Sequence, residues 1–569
     1  MKPDTTLIHR SSPRSHVQVQ FDDGVILEGP VGTPLEMFVA AATQPDDPPT
    51  VAALVDGELR ELTIPITRDV RVQRLTNANS DGKRIYQRSL SLLMLAAVSE
   101  LFPQARMTLE HSITMMGLLC QVSGRPPFTP DQVAQIQARM REIVNQDEPI
   151  VKTQLSLQDA VALFRERGQE DKVRLLEYRN KDYVVVYSLR QAQDYFYGYM
   201  VPSTRYIRYF DLIPHPLGFV MRAPRRGAPT RMPSARNAPK LDLVFQQYGQ
   251  WLRMLNIDDV GALNKAIGTG RIREVVLISE ALHEQQVVHI ASKITERQNV
   301  RLVLIAGPSS SGKTTFAKRL AVQLMAHGLR PLPVAMDNYF VGRAQTPRDE
   351  NGEYDFEHLG ALDLDLFKSD MRKLMAGERV QMPHYSFYTG EREPGKTIQI
   401  DSKHIIIAEG IHGMNPELVK GMPPEQIYRI YISALTQLNL DDHNRIPTTD
   451  TRLLRRIVRD AAYRGYTADA TIDRWESVRR GENRWIFPYQ ENADAMFNSA
   501  LVYELSALKS FAEPLLRNVE PKTLAHVESK RLLAFLQWFL PCSTELVPDN
   551  SILREFVGGS ILHDFSLSL

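Results

Sequence analysis

Hydrophobic and polar residues alternate in short runs at the start of the chain, which predicts β-strands. Residues 17–21 (VQVQF) alternate strictly, and the turn sequence DDG follows before VILEG continues, so a β-hairpin is expected. A second apolar run at 51–55 passes through a DG turn into residues 58–66 with the same signature. Between the hairpins, residues 34–42 (PLEMFVAAA) predict a helix that starts at a proline. Together these elements predict a small α+β domain.

The pattern then becomes helical. Residues 84–101 carry apolar residues at helical spacing, and Thr129-Pro130 predicts the N-cap and first residue of another helix. Residues 183–189 (YVVVYSL) are typical of a buried strand. Composition shifts at 222–240, which holds four prolines, five arginines and one lysine and little that could be buried. That segment is predicted to be an exposed linker or loop.

From residue 301 to about residue 515, strand and helix patterns alternate, which predicts a parallel sheet. The expected fold class is multidomain α/β and α+β. The predicted domains are a small first domain (1–80), a second α+β domain (81–221), the linker (222–240), a helical connector (241–299), a parallel-sheet domain (300–515) and a helical tail (516–569).

Composition narrows the class of protein. Lys plus Arg number 68 and Asp plus Glu 67, so the net charge of +1 argues against a chain that binds polyanions over its whole surface. Two cysteines exclude a disulfide scaffold and a cysteine-rich zinc module. No apolar run approaches the roughly 20 residues of a membrane span, and the first residues lack the apolar core of a signal peptide. A cytoplasmic protein without membrane contact is therefore expected.

The clearest chemical motif follows the apolar run at 302–306. It reads GPSSSGKT, which is the GxxxxGK[ST] phosphate loop, and a helical stretch comes next. Backbone N–H groups and the helix N-terminus would hold phosphate, with Lys313 at the β/γ-phosphates of ATP and Thr314 on Mg²⁺. The predicted phosphate-binding residues are Gly307, Ser309, Ser310, Ser311, Gly312, Lys313, Thr314 and Thr315.

Two acids follow later strands of the same pattern. Asp337 ends the run LPVAM and could orient or deprotonate a substrate hydroxyl, and Glu409 ends HIIIA and could hold Mg²⁺. Residues 452–464 (RLLRRIVRDAAYR) carry five arginines that could close as a lid and neutralise the moving phosphoryl group. A salt-bridged helix is the alternative for that segment.

These blocks, together with DFEHLGALDLDLF and VQMPHYSFYTGER, resemble the uridine kinase and phosphoribulokinase family over roughly residues 300–505. The resemblance implies that Asp337 is the catalytic aspartate, that Arg456 and Arg459 are lid arginines, and that Thr314 and Glu409 serve the metal. The acceptor-binding residues that it implies are Asp337, Tyr339, Glu357, Tyr385, Arg392 and Arg456.

The sequence departs from that family at two places. Gly390 stands where uridine kinases have a base-reading histidine, which removes a donor on which pyrimidine discrimination depends. Residues 433–448 look like an insertion before the arginine-rich helix, and an exposed loop is the expectation for His443 and Arg445.

The N-terminal half carries a second resemblance. Residues 17–80 resemble a TGS domain, a small β-grasp-like module, and residues 81–211 resemble the editing domain of threonyl-tRNA synthetase, through SLSLLMLAAVSELFP and DYFYGYMVPST. The editing His and Cys positions of that family correspond here to Arg88, Leu92, Phe196 and Met200, so editing chemistry is predicted to be absent.

Three functions are compatible with these patterns. The first is an ATP- and Mg²⁺-dependent kinase that phosphorylates a hydroxyl of a nucleoside or similar small molecule. The second is an RNA- or ribosome-associated regulator that binds RNA or tRNA through residues 1–240, where Arg205 and Arg208 alternate with aromatic residues. A packed core is the alternative for that aromatic segment. The third is a sugar or sugar-phosphate kinase of phosphoribulokinase type. A homo-oligomer is left open.

Overall fold

The computed structural model describes residues 12–44, 47–113, 117–234, 238–350 and 352–563, and side chains throughout these ranges except at 111–113. The chain divides into two compact units. The first contains the described residues within Met1–Ala162, Lys181–Arg236 and Pro521–Val527, and the second those within Leu163–Asn180, Asn237–Glu520 and Glu528–Leu569.

The chain up to residue 222 alternates strands with a few helices. The strands are β1 His16–Phe21, β2 Ile26–Pro30, β3 Thr50–Val55, β4 Glu58–Arg60, β5 Val70–Thr76, β6 Arg106–Ile113, β7 Gly117–Ser123, β8 Val151–Ser156, β9 Tyr183–Leu189, β10 Ala192–Tyr195, β11 Asp211–His215 and β12 Gly218–Arg222. The helices are α1 Leu35–Ala42, α2 Ser80–Leu101, α3 Pro130–Asn145, α4 Leu157–Glu166 and α5 Glu170–Leu176.

The first unit contains three sheets. The hairpin of β1 and β2 and the pair of β3 and β4 lie in one sheet of order β2-β1-β5-β3-β4, in which β1 and β5 run parallel. Val17, Val19 and Phe21 alternate inward along β1 and pack against Phe38 of α1, as their period of two predicts. The other sheets have the orders β10-β9-β8 and β11-β12-β7-β6.

The predicted start of α3 is confirmed. Thr129 accepts a hydrogen bond from the Gln132 amide at 3.3 Å, and the Gln132 side chain accepts one from the Thr129 amide at 3.1 Å. This reciprocal pair satisfies two N–H groups that the helix itself leaves free, with Pro130 at the first helical position.

The second unit is built on a parallel sheet. Its remaining strands are β13 Leu302–Ala306, β14 Arg330–Ala335, β15 Val380–Ser386, β16 Glu391–Ile398, β17 His404–Glu409, β18 Ile427–Ser433, β19 Asn439–Asp441, β20 Asn444–Arg445 and β21 Ala495–Asn498. The helices are α6 Pro239–Leu255, α7 Val260–Gly268, α8 Ile272–Glu296, α9 Lys313–Ala326, α10 Leu364–Met375, α11 Thr448–Tyr463, α12 Ala468–Trp485, α13 Glu504–Arg517, α14 Leu524–Leu536 and α15 Arg554–Val557.

The five strands of this sheet have the order β14-β17-β13-β18-β21, and every neighbouring pair is parallel. The central strand β13 is buried along its whole length, as its unbroken apolar sequence predicts for a strand covered on both faces. The carboxyl ends of β13, β14 and β17 meet at one edge of the sheet, and this edge carries the candidate site.

Two predictions about exposed segments are wrong. Arg222, predicted at the start of an exposed linker, ends strand β12, is 8% exposed, and donates to Asp211 at 2.6 Å, because its ion pair makes burial tolerable. Residues 433–448 are not an exposed loop: Leu438, Leu440 and Ile446 are buried around the short hairpin of β19 and β20. The segment is buried because packing its apolar side chains away from water outweighs the cost of burying the polar residues between them. Within the described ranges, every helix is too short or too polar to cross a bilayer.

Candidate active site

The phosphate loop joins the buried strand β13 to helix α9. A Cβ on Gly307 would lie 1.9 Å from the Ile432 carbonyl oxygen, and Gly312 has a φ of +83°, so both positions require glycine. Ser310 adopts a left-handed φ of +58° in the same turn. The alternation of φ sign turns successive amide groups toward one concave surface, which is an anion-binding arrangement.

The lysine and threonine of the motif lie where the sequence predicts them. The Lys313 ammonium donates to the carbonyl oxygens of Gly307 and Pro308, at 3.1 Å each, and thereby closes over the loop. The Thr314 hydroxyl donates to Glu409 Oε1 at 3.2 Å. A hydroxyl and a carboxylate are hard oxygen donors, and Mg²⁺ in kinase sites is held by one or two such groups together with nucleotide phosphates. Thr314 and Glu409 therefore fit this ion.

The two predicted acids are brought together by the sheet. Glu409 is the last residue of β17 and pairs in register with Ala335 of β14 and Ile305 of β13, while Asp337 lies in the 3₁₀ turn that follows β14. Burial raises the pKa of Glu409 to about 7, helped by the charge of Asp337 and opposed by Lys313. The pKa of Asp337 is raised by desolvation, and Lys313 and Arg464 lower it in part.

Glu357 joins this cluster from a separate loop. Burial raises its pKa to about 7, the charges of Glu482 and Asp337 add to the rise, and Arg456 and Lys313 oppose it. Its Oε2 atom is buried without a hydrogen-bond partner. A buried carboxylate oxygen without a partner is suited to bind a ligand hydroxyl, which would donate the hydrogen bond that Oε2 lacks.

The five arginines of residues 452–464, four of them in α11, divide into two groups. Arg452 and Arg455 are fully buried beneath the phosphate loop, where they pair with Glu482 and Glu504. Arg452 also donates to the Ser309 carbonyl oxygen at 3.0 Å. The prediction that these two belong to a mobile lid is therefore wrong, because each is held by a buried carboxylate from a distant part of the chain.

The other arginines lie at the edge of the site. Arg456 donates to the Ser309 hydroxyl at 2.8 Å, and Arg459 donates to Asp460 at 2.8 Å. Arg464 approaches Asp460 to 3.6 Å and interacts electrostatically with Asp337. Three partly exposed guanidinium groups thus share one buried aspartate, which leaves positive charge beside the phosphate loop.

The other residues predicted to bind the phosphoryl acceptor lie in different surroundings. Tyr339 is fully buried and packs edge-on against Phe367, which makes it a core residue, and Arg392 pairs with Asp363 at 2.9 Å. Tyr385 is anchored beside the 3₁₀ turn that carries Asp337, since its amide donates to Asn338 Oδ1 at 3.2 Å.

Gly390 lies in close contact with the side chain of Arg343. A Cβ on Gly390 would lie 2.7 Å from Nε of Arg343, whose guanidinium donates to the Phe387 carbonyl oxygen at 2.8 Å. Arg343, from a separate turn after β14, thus lies directly against Gly390 in the loop between β15 and β16. Sequence reasoning did not identify Arg343, because it follows the strand β14 in a loop without a motif.

Two further carboxylates were missed by sequence reasoning. Glu482 of α12 accepts a hydrogen bond from the Ser309 amide at 3.0 Å, and Glu555 of α15 contacts Thr315 in the first turn of α9. They lie 173 and 240 residues from their partners along the chain. No local pattern marks either residue.

Comparison with known proteins agrees with this geometry. Residues 302–506 match the model of the Phosphoribulokinase / Uridine kinase family. The chain thus contains a phosphoribulokinase/uridine kinase family domain. This kinase-family domain includes the phosphate loop, Asp337 and Glu409. It also includes Glu357, Tyr385 and helix α11. It ends before Glu555, which the family model leaves outside.

The N-terminal region matches a different class of protein. It is 32% identical over 198 residues to a threonine–tRNA ligase of Geobacter sp. (strain M21), which is 35% of this chain and 31% of the ligase. The ligase of Paracidovorax citrulli is 34% identical over 164 residues, or 29% of this chain and 26% of the ligase. The chain spans about a third of the length of the curated relatives it matches.

Solved structures also align with part of the chain. A possible uridine kinase from Bacillus stearothermophilus is 20% identical, with a TM-score of 0.22, and covers 35% of this chain and 89% of that chain. A D-glycerate 3-kinase from Cryptococcus neoformans is 15% identical, with a TM-score of 0.21, and covers 48% and 88%. The assignment of the kinase-family domain depends on the family model and not on these alignments.

In the first unit, the positions that correspond to the editing residues form a core. Leu92, Phe196 and Met200 are at most 2% exposed and belong to one hydrophobic cluster. Arg88 donates to the Tyr199 carbonyl oxygen at 2.9 Å and lies over the Tyr197 ring. None of the three apolar side chains can ligate zinc or move a proton in the editing role.

The aromatic segment near residue 200 is largely packed. Phe196 and Phe210 are buried, and Arg205 pairs with Glu36 at 2.6 Å and Asp147 at 3.3 Å. Arg208 lies exposed and donates to the Arg205 carbonyl oxygen at 3.1 Å. This arrangement favours the packed-core interpretation of the segment over a base-stacking surface.

Proposed function

We propose that the chain is an ATP- and Mg²⁺-dependent kinase that transfers the γ-phosphoryl group of ATP to a hydroxyl of a nucleoside or related small molecule. One observation carries this proposal. Lys313 of the phosphate loop interacts electrostatically with Asp337, Glu357 and Glu409, so the phosphate-binding cation and three acids share one site.

The residues divide the work of phosphoryl transfer. Lys313 and the loop amides bind the β- and γ-phosphates, and Arg456 stands beside Ser309 to stabilise charge on the transferring group. Mg²⁺, held by Thr314 and Glu409, would neutralise phosphate charge. Because such a transition state is loose, positioning and electrostatics supply most of the rate acceleration.

Asp337 acts on the acceptor. It lies in the 3₁₀ turn at the carboxyl edge of the sheet, near Lys313, where an acceptor hydroxyl would approach the γ-phosphate. A carboxylate there orients the hydroxyl and accepts its proton as the new P–O bond forms and the bond between the γ-phosphorus and ADP breaks. Glu357, with its unpartnered Oε2, binds a second acceptor hydroxyl.

An acceptor screen tests this function. ATP consumption would be measured with the full chain against nucleosides, sugars, sugar phosphates and polyols. We expect at least one nucleoside-like acceptor to accelerate turnover over the ATP-only blank. Acceleration by sugar phosphates alone would identify the phosphoribulokinase-type alternative, and no acceleration by any acceptor would contradict the small-molecule kinase.

Asp337→Asn supplies the matched variant for that screen. We expect it to lower kcat by roughly 10²–10⁴-fold, the range for loss of a positioned acid–base group, while ATP still binds. Asp365→Asn is the control, since Asp365 is almost fully exposed on α10 at 3.8 Å from Lys368. Equal activity of D337N and D365N would rule out Asp337 as the acceptor-activating residue.

A second candidate function comes from the N-terminal match to threonine–tRNA ligases. We propose that residues 1–240 bind RNA or tRNA, with residues 1–80 as a TGS-like module, an assignment that the mixed sheet and helix α1 support. Filter binding of tRNA to the full chain at near-physiological salt tests it. Absence of binding under these conditions would contradict an RNA-binding role.

A further inference from the structure

The C-terminal segment 551–563 packs onto the phosphate loop of the kinase-family domain. Ile552 lies against Gly312, where a Cβ would stand 2.6 Å from Ile552 Cγ2. Phe556 packs under the guanidinium of Arg455, 5.0 Å from it. At the end of the segment, Lys318 of α9 donates to the carbonyl oxygens of Leu562 and His563 at 2.6 and 2.9 Å.

The carboxylate of this segment occupies donors that phosphate would need. The Thr315 hydroxyl donates to Glu555 Oε2 at 2.8 Å, and the Thr315 amide approaches the same atom at 3.4 Å. That amide lies in the first turn of α9, whose N–H groups have no partner within the helix and form its anion-binding end. The Glu555 carboxylate therefore already accepts a hydrogen bond from Thr315, a residue that the sequence predicts to bind nucleotide phosphate.

The backbone that carries Glu555 is held firmly. Ser551 donates to the buried carboxylate of Glu280, which also accepts from Tyr503 at 2.7 Å. Arg554 bonds to the carbonyl oxygens of Gly558 and Pro548 at 3.2 and 3.3 Å. Because Ser551, Ile552 and Leu553 are fully buried, movement of the Glu555 side chain is easier than release of the segment.

Like charge also accumulates at this position. Glu555 interacts electrostatically with Glu409, a second carboxylate of the site. A nucleotide brings further negative charge to the same donors, and the Thr315 hydroxyl can donate its single proton to only one anion at a time. A phosphate can therefore reach Thr315 only when the Glu555 carboxylate leaves it.

We propose that Glu555 determines the nucleotide affinity of the site by competing with nucleotide phosphate for Thr315. This inference rests on the proposed ATP-binding function but concerns binding and not phosphoryl transfer. The Glu555 carboxylate therefore competes with nucleotide from within the chain. It accepts the Thr315 hydrogen bond until nucleotide binds, and the free energy of nucleotide binding includes the cost of displacing it.

The test is calorimetric titration of the full chain with ADP in the presence of Mg²⁺. We expect Glu555→Ala to lower the Kd for ADP by about tenfold, the scale of one hydrogen bond to a charged group. Glu555→Asp, which withdraws the carboxylate by one methylene but keeps its charge, is expected to lower Kd less. Glu545→Ala is the control, because Glu545 is an exposed acid of the same tail.

The outcomes separate this inference from the kinase itself. An unchanged or higher Kd in E555A would overturn the competition, as would equal effects of E555A and E545A. Where E555A fails to fold, as judged by its melting temperature, the comparison of E555D with the parent decides. Binding by every variant without phosphorylation of any acceptor would contradict only the proposed kinase function, while absence of ADP binding in all variants would contradict both.

Discussion

At the scale of single residues, the site combines acids whose protonation is set by their surroundings. Glu357 and Glu409 each have a pKa near 7, and both owe the rise first to burial. Raised pKa values beside a phosphate loop are typical of functional acids, whose charged forms are stabilised when a ligand supplies donors or cations. A bound cation or hydrogen-bond donor beside these acids would therefore favour their charged forms.

The pKa of Glu357 predicts a pH-dependent stability. Its ordinary value is near 4.5 and its folded value about 7, so the folded chain retains a proton that the unfolded chain releases. The contribution of Glu357 is fully present below about pH 4.5 and is lost as pH rises toward 7. Glu357→Gln should therefore gain stability over the parent as pH rises, by roughly 1 kcal/mol after allowing for solvent screening.

Melting temperatures of parent and E357Q at about pH 5 and about pH 8 measure this effect. Glu378→Gln, at an exposed acid outside the site, controls for removal of one negative charge. The same melting difference between E357Q and its parent at both pH values would contradict the assignment.

At the scale of elements, helices α11 and α12 hold the phosphate loop from below. Arg452 of α11 and Glu482 of α12 form a fully buried pair, which accepts from the Ser309 amide and donates to the Ser309 carbonyl oxygen. The backbone of one loop residue is thus fixed on both sides. Burial of such a pair is tolerated because every charged group in it is hydrogen-bonded.

Glu482→Gln tests this support. Loss of the carboxylate leaves Arg452 buried without its counter-charge, which costs about 3–5 kcal/mol, and releases Ser309. We expect a clearly lower melting temperature together with a higher Kd for ADP. Glu417→Gln is the comparison, since its pair with Lys420 at 3.3 Å is exposed and such pairs contribute at most about 1 kcal/mol. Equal losses in the two variants would refute the supporting role of the buried pair.

At the scale of the whole molecule, the second unit includes a segment that is distant from it in sequence. Residues 163–180 belong to this unit, and Lys172 donates to Asp441 at 2.7 Å with both side chains almost completely buried. Asp171 accepts from the Asp442 amide at 2.8 Å in the same place. The 433–448 segment is therefore a docking point for an earlier part of the chain and not a surface insertion.

Lys172→Met is expected to destabilise the second unit by about 3 kcal/mol or more, because Asp441 stays buried without its cation. Melting of the full chain, followed with and without ADP to identify the transition of the nucleotide-binding unit, measures the loss. The double variant K172M/D441N should recover much of it, since asparagine removes the uncompensated charge and keeps an oxygen that can accept from the His443 and Asn444 amides. No recovery in the double variant would contradict this account.

Much of the local structure could be predicted from the sequence, because it depends on neighbours along the chain. The capping residues Thr129 and Gln132, the alternation along β1 and the apolar run of β13 all act within a few residues. The phosphate loop is likewise local, since its glycines, Lys313 and Thr314 are consecutive. Even the meeting of Asp337 and Glu409 follows from the rule that parallel strands align their carboxyl ends.

Other features were decided only by the tertiary structure. The same arginine-rich helix places Arg452 and Arg455 in the core and Arg456 at the site, and the partners that decide this come from α12 and α13. Glu555 reaches Thr315 across 240 residues. Charge can be buried only where a distant opposite charge meets it, so sequence by itself determined that this chain has a phosphate-binding loop, and the fold determined which of its charges serve that loop.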